Sequence, residues 1–327
     1  MTERPEQATA LWYVGPERAE IRPESAAAPG PDEVRVRALY GAVSRGTERV
    51  VFFGRVPASE HARMRCPFMA GAFPFPVKYG YITVGRVESG RRDLVGRTVF
   101  TLYPHQSVFT VPAEAVVPVP DTVPATRAVL AANIETALNA LWDAAPGPVD
   151  RIAVVGAGAV GALAARLAAR MPGTQVTLVD IEPQRAALAS ALGVGFALPD
   201  AAPENCDLVI HASASAAGLA TALSLAGMEA TVLELSWYGT GEIPVPLGAG
   251  FHSRRLRLVS SQVGSVATSH RARWTYSARR AAALELLADP VLDALIAPAV
   301  SFAELPARLP DILNPASGVL CQLIRYP

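Results

Sequence analysis

Apolar residues fall into two regimes along this chain, and the change between them marks a domain boundary. Up to Pro124 the apolar runs are short, β-like and separated by glycine and proline. Val34–Leu39, Tyr81–Val87, Thr98–Leu102 and Ser107–Val111 are examples, and they predict a compact, mostly antiparallel β domain. Val117–Pro124 is proline-rich and reads as the exit from it, followed by a long helical segment, Ala125–Ala144. Beyond it the pattern alternates. Apolar strands at Ile152–Val155, Val176–Val179, Leu208–His211, Ala230–Leu235 and Leu256–Ser260 are interleaved with alanine-rich helices at Ala162–Arg170, Gln184–Leu192, Leu219–Leu225 and around Ala278–Ala288. That alternation predicts a parallel, doubly wound α/β sheet. The tail returns to a short helix, Glu304–Ile312, and an apolar strand, Gly318–Ile324.

The sharpest local signal sits inside the second regime. Strand Ile152–Val155 runs into Gly156-Ala-Gly158-Ala159-Val160-Gly161 and then a helix, and the next strand ends on Asp180. Gly156 permits the tight turn, Gly158 lets a pyrophosphate approach the backbone, and Gly161 lets the helix pack on the strand. The helix N-terminus faces the phosphates, and an acid at the second strand's tip accepts a ribose hydroxyl. A nicotinamide dinucleotide is therefore the expected cofactor. The Asp180 carboxylate repels a 2′-phosphate and is followed by Ile181, which favours NAD(H). Arg185 lies one helical turn on, so NADP stays open. A strand-end or N-cap role for Asp180, and a methyltransferase nucleotide loop, are the competing readings. The latter usually lacks the third glycine.

The totals narrow the field further. With 327 residues, two domains are expected. Lys+Arg and Asp+Glu both number 29, which leaves no basic or acidic excess to suggest a nucleic acid or an anionic membrane as partner. Leu208–Met228 carries no formal charge, but His211, Ser213, Ser215, Thr221 and Ser224 interrupt it, and it reads as buried α/β core rather than a membrane span. Cys66, Cys206 and Cys321 form no CxxC pair, so neither a disulfide framework nor a cysteine-based zinc knuckle is expected. Met1-Thr-Glu-Arg-Pro has no apolar h-region, and a cytoplasmic location is expected.

The glycine turn in mid-chain, a β domain before it and a short return after it resemble the medium-chain alcohol dehydrogenases. Two N-terminal runs carry the resemblance: Gly41-Ala-Val-Ser44-Arg-Gly-Thr47-Glu48 and Lys78-Tyr-Gly-Tyr81-Ile-Thr-Val-Gly85-Arg-Val. The first most resembles a zinc-less branch that includes the bacteriochlorophyllide hydroxyethyl dehydrogenases. The resemblance implies a GroES-like β-rich substrate domain from residues 1–126 and 291–327, with a Rossmann domain over 127–290. It also implies a homodimer formed through the dinucleotide domain and a small-molecule substrate. The family's catalytic zinc ligands correspond here to Ser44, Tyr81 and, by alignment to Thr136, Ala132. The residue after the ligand histidine is Ile82, and the four-cysteine structural lobe expected near Tyr103–Ser107 is absent. Serine, tyrosine and alanine do not make a tetrahedral zinc site, so no zinc is expected.

Another group must then polarise the reacting oxygen or move its proton. Ser44, Thr47, Tyr81 and His105 are the candidates. Tyr81 stands at a vacated ligand position and is a possible proton donor, or else a packing aromatic of a β-strand beside Tyr79. Thr47 matches the family's relay hydroxyl, or belongs to a polar turn in which Glu48 caps the following helix. His105, in the proline-held Leu102-Tyr-Pro-His-Gln106 loop, stands at a pocket position and reads either as a proton relay or as an ordinary hydrogen-bonded histidine. Thr136 matches a nicotinamide-contacting threonine. Ser213 and the Leu235-Ser236-Trp237 turn follow strands at the carboxyl edge of the sheet, where ligands sit, so Ser213 and Ser236 join the cofactor set. His211 reads as structural or cofactor-proximal. The expected activity is hydride transfer between NAD(H) and a secondary alcohol or ketone. The alternatives are reduction of activated C=C bonds and a non-catalytic nucleotide-binding protein.

Overall fold

The computed structural model describes residues 5–327. They divide into two compact units. One takes the chain up to Ala132, Arg280–Ala288 and Ile296–Pro327; the other takes Asn133–Arg279 and Asp289–Leu295.

The first unit is β-rich. Its strands are β1 (Glu6–Gly15), β2 (Arg18–Ala26), β3 (Glu33–Val43), β4 (Ala70–Gly71), β5 (Val77–Lys78), β6 (Thr83–Gly90), β7 (Thr98–Thr101), β8 (Val108–Pro112) and β9 (Val116–Pro118), with helix α1 (Arg45–Phe52) after β3. β2-β1-β5-β4 form one sheet. β3, β6, β7 and β9 form the antiparallel middle of another, with β8 also on β3. Val34, Val36, Val87, Val99, Phe109 and Val111 alternate inward along these strands and fill the core between them.

The expected helix Ala125–Ala144 is two pieces, α2 (Ala125–Ala128) and α3 (Ala131–Ala144). The Leu130 N–H turns back to the Arg127 carbonyl, a tighter bond that breaks the α-helical ladder. The second regime then follows as β10 (Arg151–Val155), α4 (Ala159–Ala169), β11 (Gln175–Val179), α5 (Arg185–Leu192), β12 (Gly195–Ala197), β13 (Cys206–His211), α6 (Ala216–Leu225), β14 (Ala226–Glu234), α7 (Gly250–Ser253), β15 (Arg257–Ser260) and α8 (Tyr276–Leu286). The sheet order is β12-β11-β10-β13-β14-β15, and every pair is parallel. That is the 3-2-1-4-5-6 order of a dinucleotide-binding sheet, whose direction reverses between β10 and β13. Small side chains let helices close on it: Gly161, Ala162, Ala164, Ala165 and Ala168 of α4 are all buried. Leu208–Met228 is β13, a turn, α6 and the first residues of β14. No helix among the described residues is long and apolar enough to cross a membrane.

The tail, β16 (Ile296–Ser301), α9 (Leu305–Leu313) and β17 (Cys321–Arg325), rejoins the first unit by pairing β17 with β3. β17 starts later than the sequence suggests because Gly318 is left-handed and closes a turn after Asn314. Ser253–Arg257 precedes the expected strand only in part. It is the end of α7, a turn, and the first residue of β15.

Candidate active site and dinucleotide site

In the parallel-sheet unit, the glycine turn closes β10 onto α4. Gly156 has φ +106°, and a Cβ there would stand 2.6 Å from the Ser213 nitrogen, so the turn after β13 rides directly against it. A Cβ on Gly161 would fall 2.0 Å from the Gly156 carbonyl oxygen. Chain neighbours aside, no atom of the described residues lies within 4 Å of where a Gly158 Cβ would be. The helix begins earlier than the sequence reading placed it, at Ala159 with Gly158 as N-cap, and its first ladder bond is Ala162 N–H to the Gly158 carbonyl. The N–H groups of Ala159, Val160 and Gly161 therefore precede the ladder and are available to an anion. An unobstructed Gly158 beside such donors suits a pyrophosphate, and the residues present fit a dinucleotide.

Asp180 follows β11 and is half-buried. Its Oδ2 accepts from Ala157 N–H at 2.7 Å and its Oδ1 from Glu182 N–H at 3.0 Å. It is not the N-cap of α5, which starts at Arg185 behind Gln184. Instead it ties the glycine turn to the following loop, with Ile181 exposed beside it and Arg185 half-buried on the helix. Thr136 is half-buried on α3.

Beyond the switch point lies a polar cluster that the sequence marked only in part. His211 and Glu234 are register partners at the ends of β13 and β14, and His211 Nδ1 donates to Glu234 Oε2 at 2.7 Å. His211 Nε2 meets Ser213 Oγ at 2.6 Å. The Tyr238 hydroxyl donates to Glu234 Oε2 at 2.9 Å, and Ser236 N–H donates to Glu234 Oε1 at 2.7 Å. Ser236 Oγ accepts from Ala214 N–H at 3.0 Å, clasping the two strand-end turns together. Burial disfavours ionisation of Glu234, but hydrogen bonds from His211 and Ser236 and the imidazole's charge outweigh it and hold this carboxyl below its ordinary value.

In the β-rich unit, the candidate residues gather around Glu48. It sits in the first turn of α1, fully buried, and its Oε1 accepts from Ser44 N–H at 2.7 Å. So Glu48 caps its own helix rather than a following one. Its Oε2 accepts from the Tyr13 hydroxyl at 2.6 Å and from His105 Nε2 at 2.9 Å. His105 is fully buried rather than lining an open pocket. Its N–H donates to the Tyr79 carbonyl, its carbonyl accepts from Leu11 N–H, and its Nδ1 has no hydrogen-bond partner among the described residues. The ring is pressed against Gly80, where a Cβ would fall 2.6 Å from His105 Cδ2.

Gly80 also explains why Tyr81 is not a strand residue. Its φ of +108° ends the extended run, β6 begins only at Thr83, and Tyr79 and Tyr81 come edge-to-face with ring centroids 6.1 Å apart. The Tyr81 hydroxyl, half-buried, donates to Ser44 Oγ at 2.5 Å. Burial pushes this phenol up to about 12, against hydrogen bonds to Ser44 and Thr47 that favour its anion. Lys78 does not lower it, because the ammonium turns to Gln106 Oε1 at 2.8 Å and Glu24 at 3.5 Å. The structure thus brings Ser44, Thr47, Tyr81 and His105 into one neighbourhood. Tyr13 and Glu48 were missed as its centre. Glu48 was legible only as a helix cap, and Tyr13 carries no local signal.

The donor set at the positions that the resemblance assigns to zinc ligands is a serine and a tyrosine bonded to each other, plus Ala132, and it does not suit zinc. Among the described residues no group of three or more His, Cys, Asp or Glu side chains is placed to hold a metal.

No protein-family model matches the chain. Solved structures do. The chain is similar to an alcohol dehydrogenase from Escherichia coli in complex with NADH (TM-score 0.78, 15% identity, covering 98% of this chain and 99% of that one). It is also similar to the L-idonate 5-dehydrogenase of Escherichia coli (0.80, 12%, 98% and 99%) and to a zinc-binding dehydrogenase from Sinorhizobium meliloti bound to NADP (0.77, 20%, 98% and 99%). The chain shares the fold of these dehydrogenases. Its β-rich unit is GroES-like and its parallel-sheet unit is a Rossmann domain.

Proposed function

We propose that the protein is an NAD(H)-dependent oxidoreductase that interconverts a secondary alcohol and a ketone on a small molecule, without zinc. The observation that carries this reading is the glycine turn with Asp180 at the reversal point of a 3-2-1-4-5-6 sheet. The dehydrogenases of similar fold, two of them in complex with NADH or NADP, support the same cofactor class. The carboxylate of Asp180 followed by the exposed Ile181 supports NAD(H) over NADP(H).

Bound NAD(H) supplies or takes up the hydride. The α4 N-terminus and the Gly158 backbone receive the pyrophosphate, and Asp180 holds the turn and reads the ribose. Thr136, Ser213 and Ser236 complete the cofactor set. In the β-rich unit the Tyr81 phenol, which burial keeps protonated, donates to the carbonyl oxygen in the reductive direction. Ser44 and Thr47 then stabilise the phenolate that is left. Glu48 positions Ser44 by its backbone N–H and fixes His105 and Tyr13. The serine, tyrosine and alanine at the positions that the resemblance gives to zinc ligands offer no tetrahedral zinc site, which supports proton transfer by side chains.

The test is a spectrophotometric assay of NADH oxidation by chelator-treated protein over a panel of ketones, aldehydes, enones and quinones. Turnover of ketones is the expected result. Turnover of enones or quinones alone would make it a double-bond reductase. NADH binding with no turnover of any acceptor would make it a non-catalytic nucleotide-binding protein.

A further inference from the structure

The Ser213–His211–Glu234 chain has the connectivity of a proton relay, and its geometry determines what it does. A carboxylate only accepts hydrogen bonds, so His211 Nδ1 carries a proton in either charge state, directed at Glu234 Oε2 at 2.7 Å. The Tyr238 hydroxyl shares that oxygen and is pushed up by burial and by Glu234, so it stays a donor. The variable proton of His211 is therefore on Nε2, 2.6 Å from Ser213 Oγ.

Two hydrogen-bond patterns follow. With neutral His211, Nε2 accepts, the Ser213 hydroxyl hydrogen points inward, and only oxygen lone pairs face outward. With His211 charged, Nε2–H donates to Ser213 Oγ and frees its hydrogen to bond elsewhere, either to Ser215 Oγ at 3.0 Å or to a ligand. Ser215 already accepts from Gly218 N–H at 3.0 Å. Ser213 is half-buried, and its backbone nitrogen abuts Gly156 of the phosphate-binding turn. An anionic ligand on that turn meets a donor in one state and a lone pair in the other.

We propose that His211 is a proton-linked binding residue for the dinucleotide, setting through Ser213 whether this edge of the site donates to or repels phosphate and ribose oxygens. The proposal rests on the NAD(H) reading above. Few other groups compete for control. β14 presents Glu234, β10 places Val155 beside His211 in register, and α6 carries no charged side chain. Gly218 of α6 lies over the pair, since a Cβ there would meet Ser213 Oγ at 2.0 Å and His211 Nε2 at 2.9 Å. The sign is fixed. The charged imidazole favours the anionic ligand, so binding takes up a proton and weakens as pH rises.

NADH affinity of the full chain is measured by fluorescence titration from pH 6 to 8.5. Proton uptake is measured by calorimetry in buffers of different ionisation enthalpy. The expected loss of affinity across that range is about tenfold, ordinary for two coupled sites, with proton uptake on the acid side. His211→Gln binds NADH with a flat profile and no uptake. Glu234→Gln moves the profile to lower pH by removing the counter-charge. Ser213→Ala, at a half-buried position that tolerates truncation, flattens it with His211 intact, and carries the test should the His211 variant not fold. A flat profile in the unaltered chain, or an unchanged slope in both His211→Gln and Ser213→Ala, overturns this inference and leaves the cofactor reading standing. No NADH binding at any pH overturns both.

Discussion

Tyr81 and Asp180 are the two side chains on which the proposed chemistry turns, and each makes a separate prediction. Tyr81→Phe keeps the edge-to-face contact with Tyr79 and removes the hydroxyl bonded to Ser44. Turnover of a ketone substrate is expected to fall by about 10²-fold or more, the usual worth of a general acid, with NADH affinity unchanged. Raising a phenol to about 12 keeps it protonated, so kcat for reduction shows no Tyr81-linked decline between neutral pH and about pH 10 in a stopped-flow pH profile. Full turnover in Tyr81→Phe would assign the proton to another group. Asp180 holds Ala157 N–H, and in the proposed function it also reads the ribose, so its loss acts twice. Asp180→Ala is expected to weaken NADH severalfold and NADPH less, narrowing the preference in paired fluorescence titrations. Equal affinities in the unaltered chain would show that Arg185 or another cation compensates.

The strand–turn–helix unit β10–Gly turn–α4 depends on backbone contact rather than on side chains. An added methyl at Gly161 has no room at 2.0 Å from the Gly156 carbonyl, so α4 must lift from β10 or the turn must open. Gly161→Ala is expected to abolish measurable NADH binding and to cost about 1–3 kcal/mol, the range for overpacking a close-packed core, in chemical denaturation. An unaltered NADH affinity would mean that the turn does not bind the cofactor. The hydrogen-bonded pair at the ends of β13 and β14 is a similar case at the level of elements, because parallel register alone puts His211 beside Glu234.

For the whole molecule, the Rossmann sheet ends on β15, whose four residues are all exposed, with Leu258 and Val259 among them. An apolar edge strand with unpaired backbone groups is a surface that natural proteins cover. A second copy across a two-fold axis would cover it, in line with the dimer expected from the resemblance. Light scattering is expected to give twice the chain mass, and Val259→Lys, a charge on the edge, to give the monomer. A concentration-independent monomer mass for the unaltered chain would rule this assembly out.

Periodicity and the glycine spacing were enough to read the α/β class, the alternating strands and helices of the second regime and the place of the glycine turn between β10 and α4. Each of these is local: a strand's apolar run, a helix's alanines and a turn's glycines are neighbours in sequence, so their steric demands are written there. Small errors came where a single backbone bond decides, as at Leu130, which splits a helix, and at Gly80, which takes Tyr81 out of its strand. What the tertiary structure alone decided is partnership across distance. Tyr13 lies 35 residues from Glu48 and His105 lies 57 from it, and nothing in either neighbourhood marks the carboxylate that both share. Buried polar groups must find partners, but which ones they find is set by how β1, α1 and the loop before β8 fold together, a matter of register and packing that no local pattern encodes.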